Sequence, residues 1–182
     1  MKKLLLLLLC VPLIGVSQKK QYQIKYVPYI SQKPYYCAPA SAEMVLKYYG
    51  INNLNQDDIA ESDASNLKGT HSIKMTNFLN VQGDSLGFTC KRIEGDFKKL
   101  KKYLEKDMPI IVRQWSSLKK TSRHYRVVIG YDDIRKQVIC HDPGRNGKNL
   151  RIPYKTFKKL WIVRDKNPYW SSKNLMIIIQ RK

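Results

Sequence analysis

Four side chains in this 182-residue sequence have types and spacings that can do chemistry together: Gln32, Cys37, His124 and Asp142. Cys37 sits in Gln32-Lys33-Pro34-Tyr35-Tyr36-Cys37-Ala38-Pro39-Ala40-Ser41, five residues after the glutamine. If Cys37 opens a helix, the unpaired N–H groups and partial positive charge of the first turn favour its thiolate. The same N–H groups, with the Gln32 amide, can cradle an oxyanion in acyl transfer. His124 begins an apolar run after the polar loop Ser116 to Arg123. An imidazole there can reach a cleft, hold a thiolate and later protonate a leaving amine. Asp142 ends Val138-Ile139-Cys140-His141-Asp142 just before Pro143-Gly144, where its carboxylate can orient the imidazole. Each segment alone has an ordinary structural reading: a surface glutamine, a small buried cysteine, a strand-end histidine, an Asp-Pro-Gly turn.

The elements that must position these residues are legible from periodicity. Pro34 and Pro39 bracket a turn, and Ala40, Met44, Val45 and Tyr48 recur at helical spacing until Gly50, which places Cys37 at a helix start. Further helices are predicted over Gln56 to Glu61, Ser72 to Val81 and Asp96 to Lys106, the last with Phe97, Leu100 and Leu104 on one face. The second half turns β-branched and aromatic, predicting strands over Phe88 to Ile93, Pro109 to Gln114, Tyr125 to Tyr131, Val138 to His141 and Leu175 to Gln180. The polar stretch Asp132 to Lys136 makes a hairpin of two of them and brings His124 and Asp142 to one end of neighbouring strands. Helices followed by an antiparallel sheet define an α+β domain.

In this chain order, the four residues resemble the papain-like cysteine peptidases, and in particular the bacteriocin-processing, double-glycine leader peptidases and their stand-alone relatives. The resemblance runs from about Val27 to the end and rests on Gln32, on Cys37-Ala38-Pro39-Ala40-Ser41, on His124 to Tyr131 and on Asp142-Pro143. It implies a papain-like fold, with Gln32 as oxyanion donor, Cys37 as nucleophile, His124 as general acid and base, and Asp142 as the residue that orients it. Two features depart from the family. Ala38 stands where glycine usually follows the nucleophile, and there are no transporter segments such as leader-processing exporters carry.

Met1-Lys2-Lys3, the apolar run Leu4 to Val16 and the small residues Gly15 and Ser17 read as a signal peptide over residues 1–17, with residues 18–182 as one peptidase domain. The run is shorter than the roughly 20 residues that span a bilayer, which disfavours a retained anchor. Cys10, inside the run with no small residue just before it, is a poor lipidation site. Export to a secreted or periplasmic location follows. Removing the two lysines with the signal lowers the net charge from +20 to +18. Such a surface attracts anionic partners, an envelope polymer among them, although its lysine pairs are dispersed enough to serve solubility alone. Cys37, Cys90 and Cys140 remain, an odd number that suits one thiol kept free. Cys90 and Cys140, in strand-like segments, read as buried thiols in preference to a disulfide.

No cofactor is expected. A metal site from Cys140, His141 and Asp142 is poor, because consecutive strand residues alternate faces and no second ligand pair at zinc-like spacing exists. His71 reads as a polar cap. The expected partner is a peptide or protein substrate, cleaved through an acyl-cysteine intermediate. The rival readings are a cell-wall amidase with the same thiol chemistry and a catalytically silent basic module for an anionic polymer. Nucleic acid is disfavoured, because the tyrosines that would supply stacking rings fall near the cleft and the helix core.

Overall fold

Helix α1 (Cys37–Tyr48) forms where the sequence places it, between the turn at Tyr36, whose N–H donates to the Lys33 carbonyl, and Gly50. Gly50 takes a φ of 77°, the left-handed conformation that ends a helix at little cost to glycine. Residues Cys37 to Leu46 of α1 are all buried, so it is the central helix of the molecule. The one carboxylate it carries inside, Glu43, is paired with Lys47 and accepts the Gln56 N–H. This computed structural model describes residues 20–62, 65–66, 69–144, 147–164, 166 and 171–182. The expected signal segment, residues 1–17, lies outside them.

Asn55 caps helix α2 (Gln56–Glu61) by accepting the Asp57 and Asp58 N–H groups, with Asp58 completing a capping box. The short strands β2 (Ser65–Asn66) and β3 (Gly69–Thr70) lead into α3 (Ser72–Leu86), which runs one turn past its predicted end and stops at Gly87, at φ 73°. His71 holds the N-cap position of α3 without a capping bond from its side chain.

One antiparallel sheet holds the rest together. Its strands are β4 (Phe88–Glu94), β5 (Ile110–Trp115), β6 (Arg123–Asp132), β7 (Gln137–Asp142), β8 (Gly147–Pro153) and β11 (Leu175–Arg181), in the order β4-β11-β5-β6-β7-β8. Strand β1 (Gln21–Gln23) precedes the helices in the chain but pairs with the far end of β6, where β5 has ended. Gly130 is required there, because a Cβ would lie 2.5 Å from the Tyr22 carbonyl oxygen. Between β4 and β5 runs α4 (Phe97–Leu104), capped by Asp96; after β8 comes α5 (Tyr154–Trp161). Phe97 of α4 packs edge-on against Phe157 and Trp161 of α5. A small ribbon of β9 (Ile162–Val163) and β10 (Ser172–Lys173) follows.

The fold class is therefore the expected α+β one, with α4 and α5 interleaved among the strands. Helix α5 and strand β8 are additions to the sequence reading. In α5, Phe157, Leu160 and Trp161 are buried at helical spacing beside the exposed Lys158-Lys159 pair. Strand β8 is mostly exposed and lacks an apolar run. The core draws on α1, α3 and the central strands. Among the described residues no helix is long and apolar enough to cross a membrane.

Candidate active site

The β6–β7 hairpin sets the site. Its turn is held by Asp132, whose Oδ1 accepts the Ile134 and Arg135 N–H groups, and a β-bulge between Val128 and Gly130 then shifts the register by one to give the pairing Val127↔His141. One step further along, Arg126 faces Asp142 across the strands, and His124 lies two residues beyond on the same face. Asp142 reaches both. Its Oδ1 accepts from His124 Nε2 at 2.6 Å and from the Gly144 N–H at 2.9 Å, while Oδ2 accepts from Arg126 Nε at 2.8 Å.

With Nε2 turned to Asp142, the other ring nitrogen of His124 is left for sulfur, and Cys37 lies close enough in the same pocket to raise the imidazole pKa. Cys37 is the first residue of α1. The first turn of α1 has no side-chain cap and no acidic residue, so the Cys37 and Ala38 N–H groups stay available to a substrate oxygen. Gln32 is tied to the other half of the site through its backbone, since its N–H donates to the Pro143 carbonyl at 2.9 Å. Its side chain is nearly uncommitted. Nε2 makes only a 3.5 Å contact with the Lys33 carbonyl, and Oε1 is buried with no hydrogen-bond partner among the described residues. Gln32, Cys37 and His124 line one pocket of about 620 Å3, together with Trp115, Lys120 and Ser122.

The electrostatics follow from this geometry. Burial works against a charged His124, but its hydrogen bonds to Asp142 and Cys37, reinforced by their charges, outweigh burial and raise it to about 9. Burial likewise works against an ionised Asp142, yet the bond to His124, the charges of His124 and Arg126 and the Gly144 N–H together hold its carboxyl below the usual range. The arrangement is an imidazole kept in one orientation, with a thiol on one side and a buried carboxylate on the other. That is the equipment for attack on a carbonyl by sulfur with proton transfer to nitrogen.

All four predicted residues thus converge. Arg126, Gly144 and Gly147 belong with them and were not foreseen. Besides Asp142, Arg126 donates to Gln114 Oε1 and to the Trp115 and Ser116 carbonyls, which locks it below the carboxylate. A Cβ on Gly144 would lie 3.3 Å from Asp142 Oδ1 and 3.7 Å from His124 Cε1; one on Gly147 would lie 2.4 Å from Asp142 Cβ. A straight count of the hairpin back from its turn puts Val127 opposite Asp142; the β-bulge between Val128 and Gly130 shifts the pairing by one and brings Arg126 there, which the sequence did not signal. The glycine contacts had no signal either, because they arise between segments.

His141 points away from the site as alternation requires. Its Nε2 donates to the Val27 carbonyl, its Nδ1 accepts the Asn149 N–H, and burial lowers its pKa. Cys90 and Cys140 are free, buried thiols, each pushed up to about 12 by burial. Among the described residues, no group of His, Cys, Asp or Glu side chains is arranged to hold a metal.

Comparison with known proteins places this fold. The profile of the peptidase C39-like family matches residues 24–168. The crystal structure of the peptidase domain of Streptococcus ComA, a bifunctional ABC transporter of a quorum-sensing pathway, superposes with a TM-score of 0.65 at 25% identity, covering 86% of this chain and 100% of that domain. A Bacillus anthracis protein assigned to the C39-like peptidases aligns with a TM-score of 0.69 at 16% identity, over 90% of this chain and 99% of that one. The corresponding domain of Streptococcus mutans ComA aligns at 0.53 and 23% identity, over 85% and 99%. No curated protein matches the chain. With the profile spanning most of its length and the papain-like architecture shared with solved C39 domains, the chain belongs to the peptidase C39-like family.

Proposed function

We propose that the protein is a cysteine peptidase acting outside the cytoplasm, which hydrolyses peptide or amide bonds with Cys37 as nucleophile, His124 as acid and base, Asp142 as orienting carboxylate and Gln32 as oxyanion donor. One observation carries this reading: His124 is fixed by a 2.6 Å bond from Nε2 to Asp142 and meets the Cys37 thiol, in a pocket open to solvent. Sulfur, its proton held by His124, adds to the substrate carbonyl carbon. The carbonyl oxygen, now an oxyanion, is met by the Gln32 amide and the Cys37 N–H. Collapse breaks the C–N bond, and His124 returns the proton to the leaving amine. Water, deprotonated by His124, then cleaves the thioester and releases the acid, restoring the thiol.

Export rests on the lysine-led apolar run ending in small residues. N-terminal sequencing of exported protein should find a start at or near Gln18; recovery of the intact chain from membranes would reject it. The chemistry is tested by intact-mass analysis after limiting iodoacetamide near pH 6. Cys37 should be modified first and His124→Ala should slow it, while Cys90 and Cys140 stay unmodified. Equal, slow labelling of all three cysteines would overturn the peptidase reading and favour a basic binding module.

A further inference from the structure

Next to the catalytic pocket lies a second one, of about 530 Å3, lined by Trp115, Leu118, Lys120, Lys159, Ile162 and Arg164. Trp115 and Lys120 line both, so the two pockets adjoin. The shared wall is built, not incidental. Trp115 is 8% exposed, packs with Leu160 and Val163, and donates from its indole to the Ile162 carbonyl at 3.1 Å. Lys120 belongs to the β5–β6 connection, which is closed on itself: the Ser116 N–H meets the Ser122 carbonyl at 2.8 Å, their hydroxyls lie 2.6 Å apart, and the Lys120 N–H donates to the Ser117 carbonyl. This holds Lys120 at φ 56°, an uncommon conformation for a lysine.

Three cations thus border one pocket. Elsewhere Lys33, Lys47, Lys101, Lys173 and Lys182, and Arg126, Arg135 and Arg151, each face a carboxylate. Lys120, Lys159 and Arg164 form no ion pair among the described residues, and all three are exposed. Clustered like charges raise the energy of the empty pocket, and an anion relieves them. The walls between them are apolar, formed by Trp115, Leu118 and Ile162. A ligand that suits both features carries a carboxylate beside an apolar group.

We propose that this pocket is a substrate subsite for an acidic peptide segment, taking an Asp or Glu side chain with an apolar neighbour as the substrate leaves the catalytic cleft. The proposal rests on the peptidase reading for its substrate but is tested by binding. Cys37→Ala protein is titrated, with anisotropy as readout, into fluorescein-labelled Gly-Leu-Asp-Gly-Leu-Glu-Gly and its Asn/Gln counterpart. The acidic peptide should bind on the order of tenfold more tightly at low salt, and much of the difference should vanish once added salt shortens the screening length. Lys120→Gln/Lys159→Gln/Arg164→Gln should abolish the preference. A control with the same change in charge at exposed positions elsewhere, Lys25→Gln/Lys91→Gln/Lys106→Gln, should keep it.

Equal affinity for the two peptides would overturn the proposal. So would equal losses in both triple variants, which would show a diffuse basic surface of the kind that holds anionic polymers. An acidic preference in a protein whose Cys37 never reacts would keep the binding pocket and reject the peptidase. Peptide hydrolysis with no acidic preference would do the reverse.

Discussion

Asp142→Asn is close to isosteric, and the hydrogen bonds around Asp142 make its effect specific. The carboxylate offers acceptors on both sides, Oδ1 to His124 Nε2 and the Gly144 N–H, and Oδ2 to Arg126 Nε. An amide has one acceptor and one donor. Arg126 cannot give up its proton, so the amide oxygen turns to Arg126 and the NH2 faces His124 and Gly144. His124 must then present an unprotonated Nε2 and carry its single proton on the nitrogen facing Cys37, the wrong tautomer for a base. The expected loss in kcat is about 10³- to 10⁴-fold.

Stability reports the same event without a substrate. His124 is raised from an unfolded value near 6.5 to about 9, and it is largely buried, so the native state binds that proton more tightly. The contribution is fully present below about pH 6.5 and disappears as pH rises through 9, amounting to about 3 kcal/mol across that window. Denaturant unfolding of the wild type at a series of pH values between 6 and 9.5 should show the decline; in Asp142→Asn most of it should be gone. A variant that declines with pH as the wild type does, or keeps more than about a tenth of the activity, would refute the assignment of Asp142 as the group that holds the imidazolium.

Gln32→Ala should lower kcat by about 10²- to 10³-fold while leaving the rate of Cys37 alkylation unchanged, since the proposed role of the amide is on the oxyanion and not on sulfur; parallel losses in both assays would contradict this. Arg126→Met breaks a buried pair and strands Gln114 Oε1, so a destabilisation of about 3 kcal/mol is expected by denaturant unfolding. The folded Asp142 carboxyl is then depressed less. Its stabilising effect, present above the unfolded value and lost as pH falls through the folded one, shrinks, and the acid-unfolding midpoint followed by tryptophan fluorescence should move to higher pH. Gly147→Ala puts a Cβ 2.4 Å from Asp142 Cβ and 2.6 Å from its carbonyl oxygen, so β7 and β8 must separate. Thermal and chemical denaturation should show a loss of about 2 kcal/mol.

Helices were read correctly where an apolar period met an explicit signal at one end, as at Gly50 for α1 and Asp96 for α4. Helix α5 carries the same period but begins at Pro153 with no side-chain cap, and its Lys158-Lys159 pair looks like a solvated charge run when counted alone. Strand β8 is a sheet edge with mostly exposed side chains, so it shows no apolar alternation, and only pairing with β7 makes it a strand.

For the site, the residue types and chain order of Gln32, Cys37, His124 and Asp142 were determined by the sequence itself, because a helix start, a strand end and a hairpin turn are local features written in local residues. Arg126 read as one more residue of a strand until the hairpin register set it opposite Asp142. Gly144 read only as part of an Asp-Pro-Gly turn and Gly147 drew no reading, until the fold set a Cβ at Gly144 tight against Asp142 and left no room for one at Gly147. The cationic pocket joins Trp115 and Lys120 to Lys159 and Arg164, some forty residues away along the chain, through the packing of α5 and β9 beside β5. Such contacts were decided only by tertiary structure, since electrostatics and steric fit depend on distance in space and a sequence records only distance along the chain.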